Sequence, residues 1–157
     1  MRKRITAAAP QGAERRRVDW LSLEELAEVE VTSESSAHPI DAALLPGHAL
    51  GWRADTPGEQ TIRLLFDRPQ SLKRIWLRIN EPDVERTQEY VVRWSPDGGR
   101  SFHDVVRQRW NFSPRGATCE TEDHHVELPA VTVLELIITP NTSGGGAVAS
   151  LARLRLA

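Results

Sequence analysis

Tyr90-Val91-Val92-Arg93-Trp94-Ser95-Pro96-Asp97-Gly98-Gly99-Arg100-Ser101-Phe102 is the stretch with the strongest local signal in this sequence. Its first half places Tyr90, Val92 and Trp94 at every second position, which is typical of a strand with one buried face. Asp97-Gly98-Gly99 then supplies residues that readily adopt the positive φ of a tight turn, between aromatic strand residues. The stretch therefore predicts a β-hairpin whose turn is structural.

The same two-residue period recurs along the rest of the chain. It is found at Val29–Val31, Ile62–Phe66, Ile75–Ile79 and Leu134–Ile138, with shorter candidates at 102–109, 126–128 and 151–156. Turn residues separate these segments, at Asp67-Arg68-Pro69, Glu81-Pro82-Asp83, Pro129-Ala130, Pro140-Asn141 and Gly144-Gly145-Gly146. Ser22 and Glu25 form a capping-box pattern that predicts one helical turn. Seven or eight short strands without long helices predict an all-β fold, an antiparallel jelly-roll sandwich or barrel of about eight strands.

Composition limits the classes of protein to which the chain can belong. Its 157 residues correspond to one domain, and its net charge of −2 argues against a nucleic-acid or membrane-surface partner. Residues 1–18 are basic and lack an apolar period, so we expect a flexible tail there and a β-sandwich domain over 19–157; the alternative for the tail is an arm for a nucleic acid or an acidic partner. Cys119 is the only cysteine, and no apolar segment follows the basic N-terminus, so we expect a cytoplasmic protein.

Four stretches of the sequence resemble the discoidin domain, also called the coagulation factor V/VIII type C domain, of the galactose-binding-like superfamily. They are Ala27–Glu34, Ala42-Ala43-Leu44 through Gly51-Trp52-Arg53-Ala54, Tyr90–Ser95 with Asp97-Gly98, and Leu134–Pro140 followed by Ala149–Leu154. The resemblance covers about Ala27 to Ala157. It implies an eight-stranded jelly roll that binds ligands, commonly sugars or lipid headgroups, and is not itself catalytic.

The sequence departs from this family at the positions that would hold calcium. Many sugar-binding members use an Asp-Gly-Asp-like loop and a late Glu, whereas this chain has Leu45-Pro46-Gly47-His48 and Arg153. Calcium requires several hard oxygen ligands, and these residues remove carboxylates and add a cation. We therefore expect no metal and no other cofactor. The family's end-to-end disulfide cannot form with one cysteine, and no cluster of apolar side chains for membrane insertion is visible.

Strand parity predicts where a binding site lies. If each strand crosses the barrel once, the connections alternate between its two ends. The connections 35–59, 80–88, 110–122 and 141–147 then meet at one end, which we call the distal end, while the tight turns and both termini lie at the other. Long loops on a rigid scaffold are where binding residues concentrate, so the distal end is the predicted site.

The predicted site combines apolar platforms with hydrogen-bonding side chains. Aromatic faces suit the C–H surface of a sugar ring, and Arg and Asn side chains suit hydroxyls or an anion. The platform candidates are Trp52, Trp110 and Phe112; the hydrogen-bonding candidates are Arg53, Asn111, Arg115 and His48, with Glu81, Asp83 and Asn141 as further groups. The alternative for Trp52 is a cap on the core. Trp20, Trp76 and Trp94 are interpreted as packing residues.

A catalytic site is not predicted. Cys119 near His124 and His125 suggests a thiolate–imidazole pair or a zinc site, but adjacent residues of a strand point to opposite faces. The predicted function is a non-catalytic ligand-binding module, most consistent with carbohydrate as a small-molecule ligand. The alternative is an intracellular docking module for a protein partner.

Overall fold

A computed structural model describes residues 19–157 as eight strands and two short helices, and it confirms the predicted all-β, antiparallel architecture. The elements are α1 Leu23–Leu26, β1 Ala27–Val31, α2 Asp41–Leu44, β2 Trp52–Arg53, β3 Gln60–Asn80, β4 Arg86–Ser95, β5 His103–Phe112, β6 Cys119–Thr139, β7 Ser150–Leu151 and β8 Arg153–Leu156. The predicted flexible tail, 1–18, lies outside the described residues.

Two long strands, β3 and β6, build both layers of the sandwich. The first half of β3 pairs with the second half of β6. On either side of this pair, β1 pairs with β3 and β4 pairs with β6, and β5 pairs with β4 to complete the large sheet. The second half of β3 pairs with the first half of β6 and with β8, which makes a small sheet. The β3–β6 register shifts between Leu65 and Arg74, where the pair passes from one layer to the other.

The predicted turns at Arg68-Pro69 and Pro129-Ala130 are wrong, because β3 and β6 continue through both. Proline lacks the backbone N–H that a ladder needs, but its fixed φ is compatible with extended backbone. Each proline therefore interrupts pairing and bends the strand from one layer into the other, and the strand continues past it.

The core lies between the two layers and follows the predicted two-residue period. Ile62 and Leu64 of the large sheet, and Ile75, Leu77 and Ile79 of the small sheet, are at most 2% exposed. Their alternate neighbours are more exposed, so one face of each layer is buried. The predicted helical turn is present as α1. Its capping is done by the backbone: the Ser22 carbonyl accepts from the Glu25 amide at 3.1 Å, and the Ser22 side chain makes no capping bond.

The predicted hairpin turn is confirmed between β4 and β5. Gly98 and Gly99 have φ of 75° and 95°, which L side chains rarely adopt. The Asp97 carboxylate accepts from the amide of Ser101 at 2.9 Å and from its hydroxyl at 2.6 Å. Hydrogen bonds from Ser101 and then Ser95 hold the pKa of Asp97 well below its usual range. The Gly98 amide also donates to the Thr132 hydroxyl of β6 at 2.9 Å, which ties the turn to the neighbouring strand at the end opposite the long connections.

The long connections do meet at the distal end. The register places the last residue of β1, β5 and β6 and the end of β3 at that end of the sandwich. Backbone hydrogen bonds then join separate connections: the Ala54 amide donates to the Ala149 carbonyl at 2.9 Å, and the Glu81 amide to the Thr118 carbonyl at 2.8 Å. The distal connections are therefore linked to one another.

Candidate functional site

An open cleft of about 220 Å³ lies among the distal connections, and we call it the distal cleft. Residues from 38–53, 80–82 and 150–152 line it, so three connections contribute. Gly51 shows how closely two of them approach. A β-carbon at Gly51 would lie 2.3 Å from the Leu151 carbonyl oxygen and 2.6 Å from the Ala152 Cα. Only a glycine lets the first connection lie this close to β7.

A buried ion pair supports the cleft from below. The Arg86 guanidinium lies 2.6 Å from the Glu81 carboxylate, and these side chains are 4% and 5% exposed. Arg86 also donates to the Val148 carbonyl at 3.1 Å, and the Ser150 hydroxyl donates to Glu81. Burial lowers the pKa of Arg86, and the Glu81 charge opposes that shift. This network ties 81–85 to the connection that precedes β7.

Arg53 is the cation that faces the distal cleft. Its guanidinium lies 3.9 Å from Glu81, while Arg86 is in direct contact with the same carboxylate. The Arg53 side chain is 38% exposed. Two guanidinium groups thus share one carboxylate, and the more exposed of them retains N–H donors for a hydroxyl or a carboxylate.

Two of the predicted platforms are buried, and these predictions are corrected. Trp52 is 1% exposed and donates its indole N–H to the Ser33 carbonyl at 3.0 Å, so it caps the core beneath the cleft. Phe112 is fully buried. It is the last residue of β5 on the face that points into the sandwich, so its ring is not available to stack on a ligand in this conformation.

The remaining predicted residues lie around the distal end without converging on the cleft. Trp110 is within β5, not in a loop: it is half-buried, packs against the core and lies 6.5 Å from the Phe112 ring. Asn111 is exposed and accepts from the Thr87 hydroxyl at 2.7 Å. Arg115 and His48 are exposed on the connections 113–118 and 45–51. Their roles in binding stay predictions.

Sequence reasoning missed three polar residues that line the cleft: His38, Asn80 and Ser150. His38 contacts the Gly51 carbonyl through Nδ1 at 3.3 Å. Ser150 reaches the cleft because β7 pairs with β2, where Arg53 is its direct partner. No sequence pattern marks Ser150, because its proximity to Arg53 depends on pairing between segments about 100 positions apart.

The candidates for catalysis are separated as expected. His124 faces inward, with Nε2 2.8 Å from the Tyr90 hydroxyl oxygen, while His125 is exposed on the other face of β6. Cys119 is half-buried and lies 3.8 Å from the Thr121 hydroxyl. Within residues 19–157 no three His, Cys, Asp or Glu side chains are grouped to hold a metal ion. The helices of this region have four residues each and are too short to cross a membrane.

Comparison with known proteins gives structural neighbours but no sequence relatives. No protein-family model and no curated protein sequence matches the chain. The family 32 carbohydrate-binding module of Clostridium perfringens NanJ, in complex with galactose, is similar in structure, with a TM-score of 0.61 at 18% identity over 87% of this chain and 96% of that one.

Two further neighbours were solved with other sugars. CpGH89CBM32-5 from Clostridium perfringens, in complex with GalNAc-β-1,3-galactose, has a TM-score of 0.63 at 17% identity over 87% of this chain and 98% of that one. The family 32 module of AlyQ, in complex with 4,5-unsaturated mannuronic acid, has a TM-score of 0.60 at 14% identity over 84% and 95%. The chain therefore shares its β-sandwich fold with these carbohydrate-binding modules, in agreement with the β-sandwich that the sequence resemblance implied.

Proposed function

We propose that the protein is a non-catalytic carbohydrate-binding module and that the distal cleft receives the saccharide. The observation that carries this proposal is Arg53, a 38% exposed guanidinium held over a buried Glu81–Arg86 pair in an open cleft. The fold supports it, because structural neighbours with this fold were solved with galactose, GalNAc-β-1,3-galactose and unsaturated mannuronic acid.

The chemistry of the cleft suits a sugar. Arg53 and Asn80 offer N–H donors to ring hydroxyls, and the Asn80 amide oxygen accepts in return. Leu50, which lines the cleft and is 60% exposed, offers an apolar surface to the C–H face of a ring. A few convergent polar groups beside apolar surface are the usual composition of a small-molecule site.

Isothermal titration calorimetry with galactose, N-acetylgalactosamine and galacturonic acid tests the proposal. We expect at least one to bind, and Arg53→Gln to weaken it by about 1.5–3 kcal/mol, the range for a hydrogen bond to a charged group. Arg100→Gln removes the same charge from the hairpin at the opposite end and should leave the affinity unchanged. Absence of heat with all three sugars, or equal losses in both variants, would contradict the proposal.

A second candidate function is docking of a protein partner, and the exposed apolar residues of the distal end favour it. Leu50 and Val84 are 60% and 59% exposed, and they lie on two different distal connections. If they form a docking contact, the double variant Leu50→Ser, Val84→Ser should lose a partner that the wild-type protein retains in a pull-down. Retention of the same partner by both proteins would contradict this candidate.

We further propose a cytoplasmic location, because a single cysteine cannot form the internal disulfides that are common in oxidising compartments. Cell fractionation with an antibody against the native protein would test it. Recovery in the soluble intracellular fraction is the expected result, and recovery outside the cell would overturn it.

A further inference from the structure

The outer face of the small sheet carries a group of basic and aromatic side chains that the distal cleft does not use. On β3, Ile75, Leu77 and Ile79 are fully buried, so Trp76 and Arg78 between them point to the opposite, outer face. Arg153 and Arg155 of β8 lie beside them in the ladder. We call Trp76, Arg78, Arg153 and Arg155 the outer arginine face.

Two of these arginines face each other directly. Arg78 and Arg153 are register partners between β3 and β8, and both are exposed. Like charges directly opposite each other across two strands are destabilising. No carboxylate of residues 19–157 lies within ion-pairing distance of either guanidinium. The described part of the chain therefore leaves this repulsion uncompensated.

The other strand arginines show that this arrangement is unusual for the protein. Arg63 and Arg93 both contact Glu135, and Arg107 contacts Glu89. On the same outer face, Arg74 binds Asp123 through two hydrogen bonds of 2.8 Å. Among the described strands, four arginines contact no carboxylate. One is Arg68, at the bend of β3, and the other three are the arginines of the outer arginine face.

Arg155 and Trp76 complete the face. Arg155 donates to the carbonyls of Ala43 at 2.9 Å and Leu45 at 3.3 Å, so its orientation is fixed while its charge stays unneutralised. Trp76 is the register partner of Arg155 and is half-buried. Trp94 and Trp110 pack against the buried core, whereas Trp76 lies on the outer face.

The outer arginine face continues into the distal cleft. Arg78 Nε donates to Asn80 Oδ1 at 3.4 Å, and Asn80 lines the cleft. Ala152, which precedes Arg153, lines it too. Positions two apart on a strand are about 6.6 Å apart, so Arg78 lies close to the rim of the cleft.

We propose that the outer arginine face is a second saccharide-binding surface, continuous with the distal cleft, that selects chains of acidic sugars such as uronates. Trp76 offers a ring face to a sugar, while Arg78 and Arg153 bind its carboxylates and thereby relieve their mutual repulsion. The inference rests on the proposed function in taking the ligand to be a saccharide. An acidic glycan is favoured over a nucleic acid because the chain has a net charge of −2 and the face has only three arginines, too few for strong polyphosphate binding.

Calorimetry with the full chain tests this surface. The ligands are tetragalacturonate and a neutral galactotetraose, each at low and at physiological salt. We expect the double variant Arg78→Gln, Arg153→Gln to bind tetragalacturonate at least about tenfold more weakly and the neutral chain as the wild type does. The matched control is Arg68→Gln, Arg100→Gln, which removes the same charge at the other end and should change affinity less than about twofold.

A thermal melt supplies a second readout, because removing the repulsion should leave the ligand-free double variant at least as stable as the wild type. The single variants Arg78→Gln and Arg153→Gln repeat the test if the double variant fails to fold. Unchanged tetragalacturonate affinity in the outer-face variants, or an equal loss in the control, would overturn the inference. If neutral sugars still bind through Arg53 in that case, the proposed function stands and only the second surface is rejected; if no saccharide binds at all, both are rejected.

Discussion

Glu81 and Arg86 form an ion pair, 2.6 Å long, between two side chains that are each about 5% exposed or less. Glu81 is the first residue after β3, and Arg86 is the first residue of β4. The pair therefore closes a five-residue segment at the rim of the distal cleft, and Ser150 binds the same carboxylate from β7. A buried pair of this kind depends on both partners being present, because a single buried charge is strongly destabilising.

Replacing the carboxylate tests how much the distal end depends on this pair. Glu81→Gln leaves the Arg86 charge buried, so the free energy of unfolding should fall by about 3–5 kcal/mol. Urea denaturation followed by tryptophan fluorescence measures this change. Glu85→Gln, an exposed position of the same connection, should change it by less than about 0.5 kcal/mol. Equal effects of the two variants would show that the pair does not hold the loop.

The fold was predictable because its signal is local. The alternation at Ile62–Phe66 and Leu134–Ile138 depends only on which side chains a strand buries, and positive φ at Gly98 and Gly99 depends only on the turn. The meeting of the long connections at one end followed from strand parity. After the bend at Pro69, β3 runs back toward the distal end in the other layer, as it would after a turn. The incorrect turn at Pro69 therefore did not disturb that prediction.

The site was less predictable because its contacts are non-local. Phe112 and Trp110 share the inward face of β5, and this could not be known without the strand's exact limits. Arg78 and Arg153 are brought together by a register between segments 75 positions apart in sequence. Neither Asn80 nor Ser150 belongs to a recognisable pattern, so the cleft itself had no sequence signal.

The close approach at Gly51 gives a prediction about the shape of the cleft. In Gly51→Ala the new methyl group would meet backbone atoms of 151–152 at 2.3–3.0 Å, and backbone cannot rotate away as a side chain can. We expect a loss of about 1–3 kcal/mol, typical of overpacking, and weaker saccharide binding. Gly116→Ala is the control, since a β-carbon there meets nothing within 4 Å. Wild-type stability and binding in Gly51→Ala would show that the 45–51 connection moves freely relative to β7.

Removal of metal ions should have no effect on stability. The expected calcium loop is replaced by Leu45-Pro46-Gly47-His48, and Arg153 lies on the outer arginine face. Thermal melts with EDTA and with added Ca²⁺ should agree within error. Because a bound ion stabilises the folded state by mass action, a melting temperature that falls by several degrees on chelation would reveal a metal site and reject this prediction.

Glu120 gives the protein a specific dependence of stability on pH. This residue of β6 is fully buried, and its register partner is Ile79. Burial, and then the neighbouring Glu122, raise the pKa of Glu120 from 4.5 to about 8. The folded protein thus keeps a proton on this side chain at neutral pH, where the unfolded chain has lost it.

The sign of the effect follows from this difference in bound protons. Between pH 4.5 and pH 8 the unfolded state binds fewer protons at this position than the folded state, so the Glu120 contribution makes the free energy of unfolding fall as pH rises. The slope reaches at most about 1.4 kcal/mol per pH unit.

Glu120→Gln has no proton to lose, so it should be more stable than the wild type at pH 8. Urea denaturation between pH 4.5 and pH 8 should therefore show a flatter dependence of the free energy of unfolding on pH. Glu127→Gln, exposed on the same strand, should keep the wild-type profile. If Glu120→Gln and the wild type lose stability in parallel from pH 5 to pH 8, the Glu120 carboxyl is ionised in the folded protein and the prediction that it stays protonated is wrong.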